Sequence, residues 1–137
     1  MKEIKKRSGC PVSSSLDLWG DKWSLLIIRD LMYAKSCTYS DFLKSEEKIA
    51  TNILASRLET LDETGIISKS EHPDSKSKVL YKLTQKGIDL LPVLMEIYLW
   101  GEKYFQLSEQ HKAFLEEVKK DKEGFIKATR AKLLSSI

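Results

Sequence analysis

The apolar pattern of this chain changes period once, and that change limits the folds open to it. Between Ala50 and Thr64, leucines at positions 54, 58 and 61 fall on one helical face, and Gly65 ends the run. Further on, Val79, Tyr81 and Leu83 alternate with Leu80, Lys82 and Thr84, which is the period of a strand. Ile67 to Glu71 alternates more weakly. Between these two segments, His72-Pro73-Asp74-Ser75-Lys76-Ser77-Lys78 is all turn and solvent chemistry. The pattern predicts a helix followed directly by a two-stranded hairpin with a polar, basic tip.

Upstream, the chain reads as short helices. Cys10-Pro11 opens a segment with Val12, Leu16 and Trp19 at helical spacing, and proline suits a first helical position because the N–H there is unpaired anyway. Asp21 is placed to cap a second helix with Trp23, Leu26, Ile27 and Leu31 on one stripe. Thr38-Tyr39-Ser40-Asp41 matches a capping box, so a short third helix runs through Phe42 and Leu43. Glu46-Glu47-Lys48 is a polar break of turn length. After the hairpin, Thr84 is placed to cap an apolar helix through Ile88, Leu91, Met95, Tyr98 and Leu99, with Pro92 kinking it or near its start. A last helical region spans Ser108 to Leu134.

The expected class is mainly α with a small two-stranded β-wing: a winged helix-turn-helix with amino- and carboxy-terminal dimerisation helices. One domain covers 1–137, with a DNA-binding core over about 38–86 and dimerisation helices over 9–20 and 88–134. A length of 137 residues, 42% of them hydrophobic, supports one packed domain. The longest apolar runs (Leu25 to Ile28, Leu90 to Met95) are far shorter than the roughly 18 residues of a membrane span. The basic start, Met1 to Arg7, is followed by no apolar signal core, so a cytoplasmic protein away from membranes is expected.

In a winged helix-turn-helix the second helix of the pair enters the major groove and the hairpin lies along the flanking backbone. Asn52, Ser56 and Glu59 lie opposite the leucine stripe, with Thr51 and Ala55 on the flanks. The candidate DNA contacts are therefore Thr51, Asn52, Ala55, Ser56 and Arg57, with Lys76, Ser77 and Lys78 on the wing. Thr51 or Asn52 has a second reading as a helix cap, Arg57 as half of an internal ion pair, and Lys76 and Lys78 as a solvated tip. From Ser40 to Gly65 acids outnumber bases, and the formal net charge is only +3. The cations must come from elsewhere, and the wing has Lys69, Lys76, Lys78, Lys82 and Lys86 against Glu71 and Asp74. Lys2, Lys5, Lys6 and Arg7 at the amino terminus are a further source.

Several stretches together carry a family likeness. Cys10-Pro11-Val12, Gly20-Asp21-Lys22-Trp23-Ser24, Ile49-Ala50, Leu54-Ala55-Ser56-Arg57-Leu58, Tyr81-Lys82-Leu83-Thr84-Gln85-Lys86-Gly87 and Trp100-Gly101 resemble the HxlR-type winged helix-turn-helix transcriptional regulators of bacteria. The resemblance spans roughly residues 9 to 105. It implies a homodimer that binds double-stranded DNA at a two-fold-related operator and controls neighbouring genes, with repression as the expected sense. The chain departs from the pattern at Thr38-Tyr39, where the family has Arg-Phe, and at Ala50, where it often has Ser. It departs again at Ser75 to Tyr81, where Pro and Arg commonly precede Val-Glu-Tyr.

Several members of the resembled family sense oxidants or electrophiles through a Cys-Pro in this place, which implies a signal at Cys10. A helix amino terminus with Lys5, Lys6 and Arg7 close in sequence favours thiolate chemistry; the other reading of Cys10 is a packing residue. Cys37 is the candidate resolving partner. The two cysteines make no metal-ligand spacing, and no metal or cofactor is expected. His72 and His111 have no nucleophile or paired carboxylate at a telling spacing and there is no Gly-rich phosphate loop, so an enzyme is not expected. Trp23, Trp100, the Leu91/Met95/Tyr98 stripe and the Phe114/Leu115/Val118 stripe exceed what a small winged helix needs, which points to a dimer. The alternatives are a dimeric winged-helix interaction module without DNA binding, and a regulator answering a non-covalent small-molecule effector. A docking module would show little binding to random duplex DNA even at low salt.

Overall fold

Backbone demands set the element boundaries in this computed structural model, which describes residues 7–137. Pro11 begins α1 (Pro11–Trp19) with Cys10 at the N-cap position. Asp21 Oδ1 accepts from the backbone N–H groups of Trp23 and Ser24, satisfying donors at the start of α2 (Ser24–Ala34) from two and three residues upstream. The short strand β1 (Cys37–Thr38) leads into α3 (Tyr39–Leu43), whose capping box is complete: Thr38 accepts from the Asp41 N–H and Asp41 accepts from the Thr38 N–H. The turn that follows runs from residue 44 to 50, longer than the three-residue break read from the sequence, and contains Lys48 at φ 54.

The recognition-type helix α4 is Thr51–Glu63. Neither Thr51 nor Asn52 caps it; the N-cap is Ala50, with no side-chain bond to the first turn. At the other end the Ile66 N–H donates to Leu61 O and the Gly65 N–H to Asp62 O, a Schellman pair. It requires φ 78 at position 65, which glycine adopts without a Cβ penalty.

The sheet has three strands rather than two. Antiparallel β2 (Ile67–His72) and β3 (Ser75–Leu83) form the wing, and β1 adds to the far edge of β3 through Cys37–Tyr81 and Thr38–Leu80. A two-residue strand sits below the resolution of any periodicity argument. The turn of the wing is also shorter than expected, because Ser75 to Lys78 belong to β3.

After β3, Thr84 caps the short α5 (Gln85–Ile88), and α6 (Leu91–Tyr104) starts anew with Pro92 in its first turn. The last helical region is two helices, α7 (Glu109–Lys120) and α8 (Lys122–Leu134), broken at Asp121, which caps the second. The main core joins Ile28, Leu31, Phe42, Leu54, Leu61, Ile66 and Ile88, with Leu133 of α8 closing it. A second cluster is built from Leu91, Met95 and Val118, with Tyr98, Phe114 and Phe125 packed against it. The stripes expected to be spare for a dimer are thus largely consumed within one chain, because α7 and α8 fold back onto α6.

Candidate nucleic-acid interface

Leu54, Leu58 and Leu61 are buried, which turns the opposite side of α4 outward. Thr51, Asn52, Ala55 and Ser56 are all exposed there. With no side-chain cap at Ala50, the first-turn N–H groups of α4 carry no side-chain partner, the arrangement that suits a helix end to phosphate. The helix is anchored at this end by the Tyr39 hydroxyl, which donates to Thr51 O at 2.7 Å.

Arg57 turns inward, to the junction of α1 and α2. Its Nη1 lies 3.5 Å from Asp21 Oδ2, its Nη2 donates to Ser56 Oγ, and its Nε is buried without a partner among the described residues. Burial works against the Asp21 charge, but hydrogen bonds from the Ser24 hydroxyl and the Trp23 and Ser24 N–H groups, together with Arg57, hold its carboxyl below the ordinary range. One aspartate therefore ties the start of α2 to the middle of α4.

The wing lysines divide into two sets. Lys69 lies 3.9 Å from Asp62 of α4, Lys86 donates to Thr64 O at 2.8 Å, and Lys82 reaches Ser136 O. Lys76 and Lys78 are exposed and make no hydrogen bond or ion pair among the described residues. The ladder explains their position. Glu71 pairs with Val79 and His72 with Ser75, so Lys76, Ser77 and Lys78 are extra residues bulged out of β3 with no partner on β2. The Lys78 charge contributes to lowering the Asp41 carboxyl, after the larger effect of the hydrogen bond from the Thr38 N–H. The bulge of β3 thus lies electrostatically close to α3, and Tyr39 of α3 touches the start of α4.

Several acids of the helix-turn-helix are neutralised from within. Glu47 accepts from Arg29 at 2.8 Å, and hydrogen bonds from Arg29 and Ser45 hold its carboxyl at about 2. Asp41 serves as a cap and Asp62 faces Lys69. Formal charge along the sequence therefore overstates the negative field around α4.

Cys10 is exposed and Cys37 is buried. Arg7 turns to Asp17 at 2.6 Å rather than to Cys10, and Lys2, Lys5 and Lys6 lie outside the described residues. Cys37, read as a candidate resolving thiol, is 4% exposed, and burial together with the charges of Asp41 and Asp30 pushes its thiol up to about 12. It is a packing residue.

The HxlR-like helix-turn-helix family model matches residues 18–109, which takes in α2 through α6 and the whole wing. The chain belongs to the HxlR-like helix-turn-helix family. It is 35% identical over 96 residues to the uncharacterized HTH-type transcriptional regulator YdeP of Bacillus subtilis, covering 70% of this chain and 74% of that one. Its fold superposes on the crystal structure of PA1607, a candidate transcription factor, with a TM-score of 0.67 at 41% identity, over 76% of this chain and 71% of the other. It also superposes on the reduced form of the transcriptional regulator YodB from B. subtilis, with a TM-score of 0.59 at 29% identity, over 74% of this chain and all of YodB. YodB has further been solved diamide-treated and quinone-bound. This HxlR-like chain is accordingly a transcriptional regulator with a helix-turn-helix domain, and α7 and α8 lie almost wholly beyond the matched region. No helix among its described residues is long and apolar enough to cross a membrane.

Proposed function

We propose that the protein is a homodimeric, sequence-specific double-stranded DNA-binding regulator. The observation that carries this reading is the pairing of an exposed polar face on α4 with an exposed lysine bulge on β3 that has no ladder partner on β2. Asn52 and Ser56 read base edges, Thr51 and Ala55 meet the groove wall, and Lys76, Ser77 and Lys78 hold flanking phosphates. Arg57 serves the interface from behind, by bracing α4 against Asp21. Occupancy of an operator blocks access to it, so repression is the sense we assign. Footprinting the purified protein on its own upstream DNA is the test; protection of paired half-sites one helical turn apart is expected, and uniform or absent protection rejects the reading.

The dimer surface is the apolar area that remains after the chain has packed itself. Val12 and Leu16 on α1, with Ile97, Trp100, Tyr104 and Phe105 at the end of α6, are all exposed, Trp100 at 59% and Phe105 at 63%. Trp100 meets Tyr104 in a tilted contact and Phe105 edge-on, at ring-centroid distances of 5.0 and 5.9 Å, a sizeable aromatic cluster to leave in water. Trp100→Glu is expected to give a monomer by sedimentation equilibrium, and an unchanged mass removes this surface from the interface.

A signal at Cys10 is the second part of the proposal. The thiol is exposed at the N-cap position of α1, and Leu18 and Trp19 of that helix pack onto the core that holds α4. Oxidation or alkylation of Cys10 shifts α1, and the Asp21–Arg57 pair passes the shift to α4. Loss of operator binding on diamide treatment is expected for the parent protein and not for Cys10→Ser; loss in both assigns the switch elsewhere.

A further inference from the structure

The fold-back of α7 and α8 leaves a cleft of about 550 Å³ between them, α2 and α6. That volume lies within the range of small-molecule sites, roughly 300–1,000 Å³. Its floor is apolar, with Met95 on α6, Phe114 on α7 and Phe125 on α8. Tyr98 meets Phe114 edge-on at 5.3 Å, and Phe114 meets Phe125 at 5.6 Å. Phe114 and Phe125 lie outside the family-matched residues 18–109, so this wall is built by the part of the chain that the family model does not cover.

One end of the cleft opens into a second hollow that shares Arg29, Tyr33, Tyr98 and His111 with it. The charge there is set by Arg29, whose guanidinium donates to both Asp30 and Glu47 at 2.8 Å. One cation faces two carboxylates, and its donors are already engaged. Asp41 and Glu46 line the same hollow, with Lys44 the one further Lys or Arg among its lining residues. The second hollow therefore has Asp30, Asp41, Glu46 and Glu47 against Arg29 and Lys44, a net negative lining beyond the shared tyrosines, and its arginine is already committed to carboxylates.

We propose that this cleft binds an amphipathic organic cation. An apolar or aromatic body lies among Met95, Phe114 and Phe125, and the positive charge lies beyond Tyr98, toward the second hollow that Asp30 and Glu47 line. The electrostatics of the second hollow agree with this. Burial, together with the Glu47 charge, raises the Asp30 carboxyl despite its bond to Arg29, so a further cation offsets a cost that the fold already carries.

The test uses the full chain and two probes of the same shape and opposite charge, tetraphenylphosphonium and tetraphenylborate, titrated by calorimetry. Saturable binding of one phosphonium per chain is expected, with the borate at least about tenfold weaker. Equal binding of both probes overturns the charge assignment, and binding of neither overturns the site. Glu47→Gln is expected to weaken phosphonium binding by about tenfold and to strengthen the borate, because it releases Arg29 from one carboxylate. Thr129→Trp, which fills the cleft from α8, is expected to abolish it with the thermal transition preserved. Parent-like phosphonium binding in both variants assigns the ligand to another surface. None of these readouts involves DNA, so failure here is distinguishable from failure of the operator-binding proposal.

Discussion

Replacing Lys76 and Lys78 together by alanine removes the two wing cations that make no hydrogen bond or ion pair among the described residues. Both are exposed and both lie in the bulge opposite no β2 residue, so folding stability is expected to change by less than about 0.5 kcal/mol. The effect on DNA binding is large because it is counted in released counterions. Each phosphate neutralised contributes about 0.9 to the slope of log affinity against log salt, so two lysines contribute roughly 1.8 per chain and roughly 3.6 per dimer. Over a fourfold rise in salt, a slope shallower by roughly 3.6 spares about two orders of magnitude of affinity loss. Fluorescence anisotropy on a labelled operator duplex across a salt series reads this directly. Lys69→Ala is the internal comparison, because Lys69 faces Asp62 and is expected to leave the slope nearly unchanged. If the double variant keeps the parent slope, the bulge does not touch phosphate and the proposed docking is wrong.

Three further outcomes follow from the same geometry. Asn52→Ala is expected to cost about 1–3 kcal/mol on the operator and little on random duplex, as measured by competition binding; equal losses on both rule out base reading by this side chain. Arg57→Met keeps an apolar stem and removes the partly exposed pair with Asp21, so denaturant unfolding should show a loss of about 1 kcal/mol with an unchanged salt slope. The Glu47 carboxyl sits at about 2 in the fold against an ordinary 4.5, so the folded chain binds fewer protons there. Its contribution is complete above pH 4.5 and is lost as pH falls toward about 2, and in Glu47→Gln this part of the acid loss of stability should disappear from pH-dependent melts.

The leucine stripe, the Thr38–Asp41 capping box, the Thr84 cap, the glycine at position 65 and the order of helices and wing were legible because each depends on residues a few positions apart. Such features are local: a side-chain oxygen reaches an N–H two or three residues on, and a helical face repeats every three or four. The exposure of Thr51, Asn52, Ala55 and Ser56 follows from the same periodicity. Some departures are local, as at the Asp121 cap that divides the last helical region, and the others have their cause far along the chain. The strand at Cys37 exists because β3 offers it an edge, and a two-residue strand has no period of its own.

By itself, then, the sequence determined the local elements, their order and the outward face of α4. The tertiary structure decided which charges and which apolar surfaces remain available. Lys69 and Lys86 are consumed by Asp62 and Thr64, whereas Lys76 and Lys78 are left over by a register shift that appears only when β2 and β3 pair. Phe114 and Phe125 line a cleft while Trp100 stays exposed on the single chain, because α7 and α8 return to cover one side of α6 and not the other. A side chain's type and spacing are written in the chain, but its availability depends on partners dozens of residues away that only folding brings within reach.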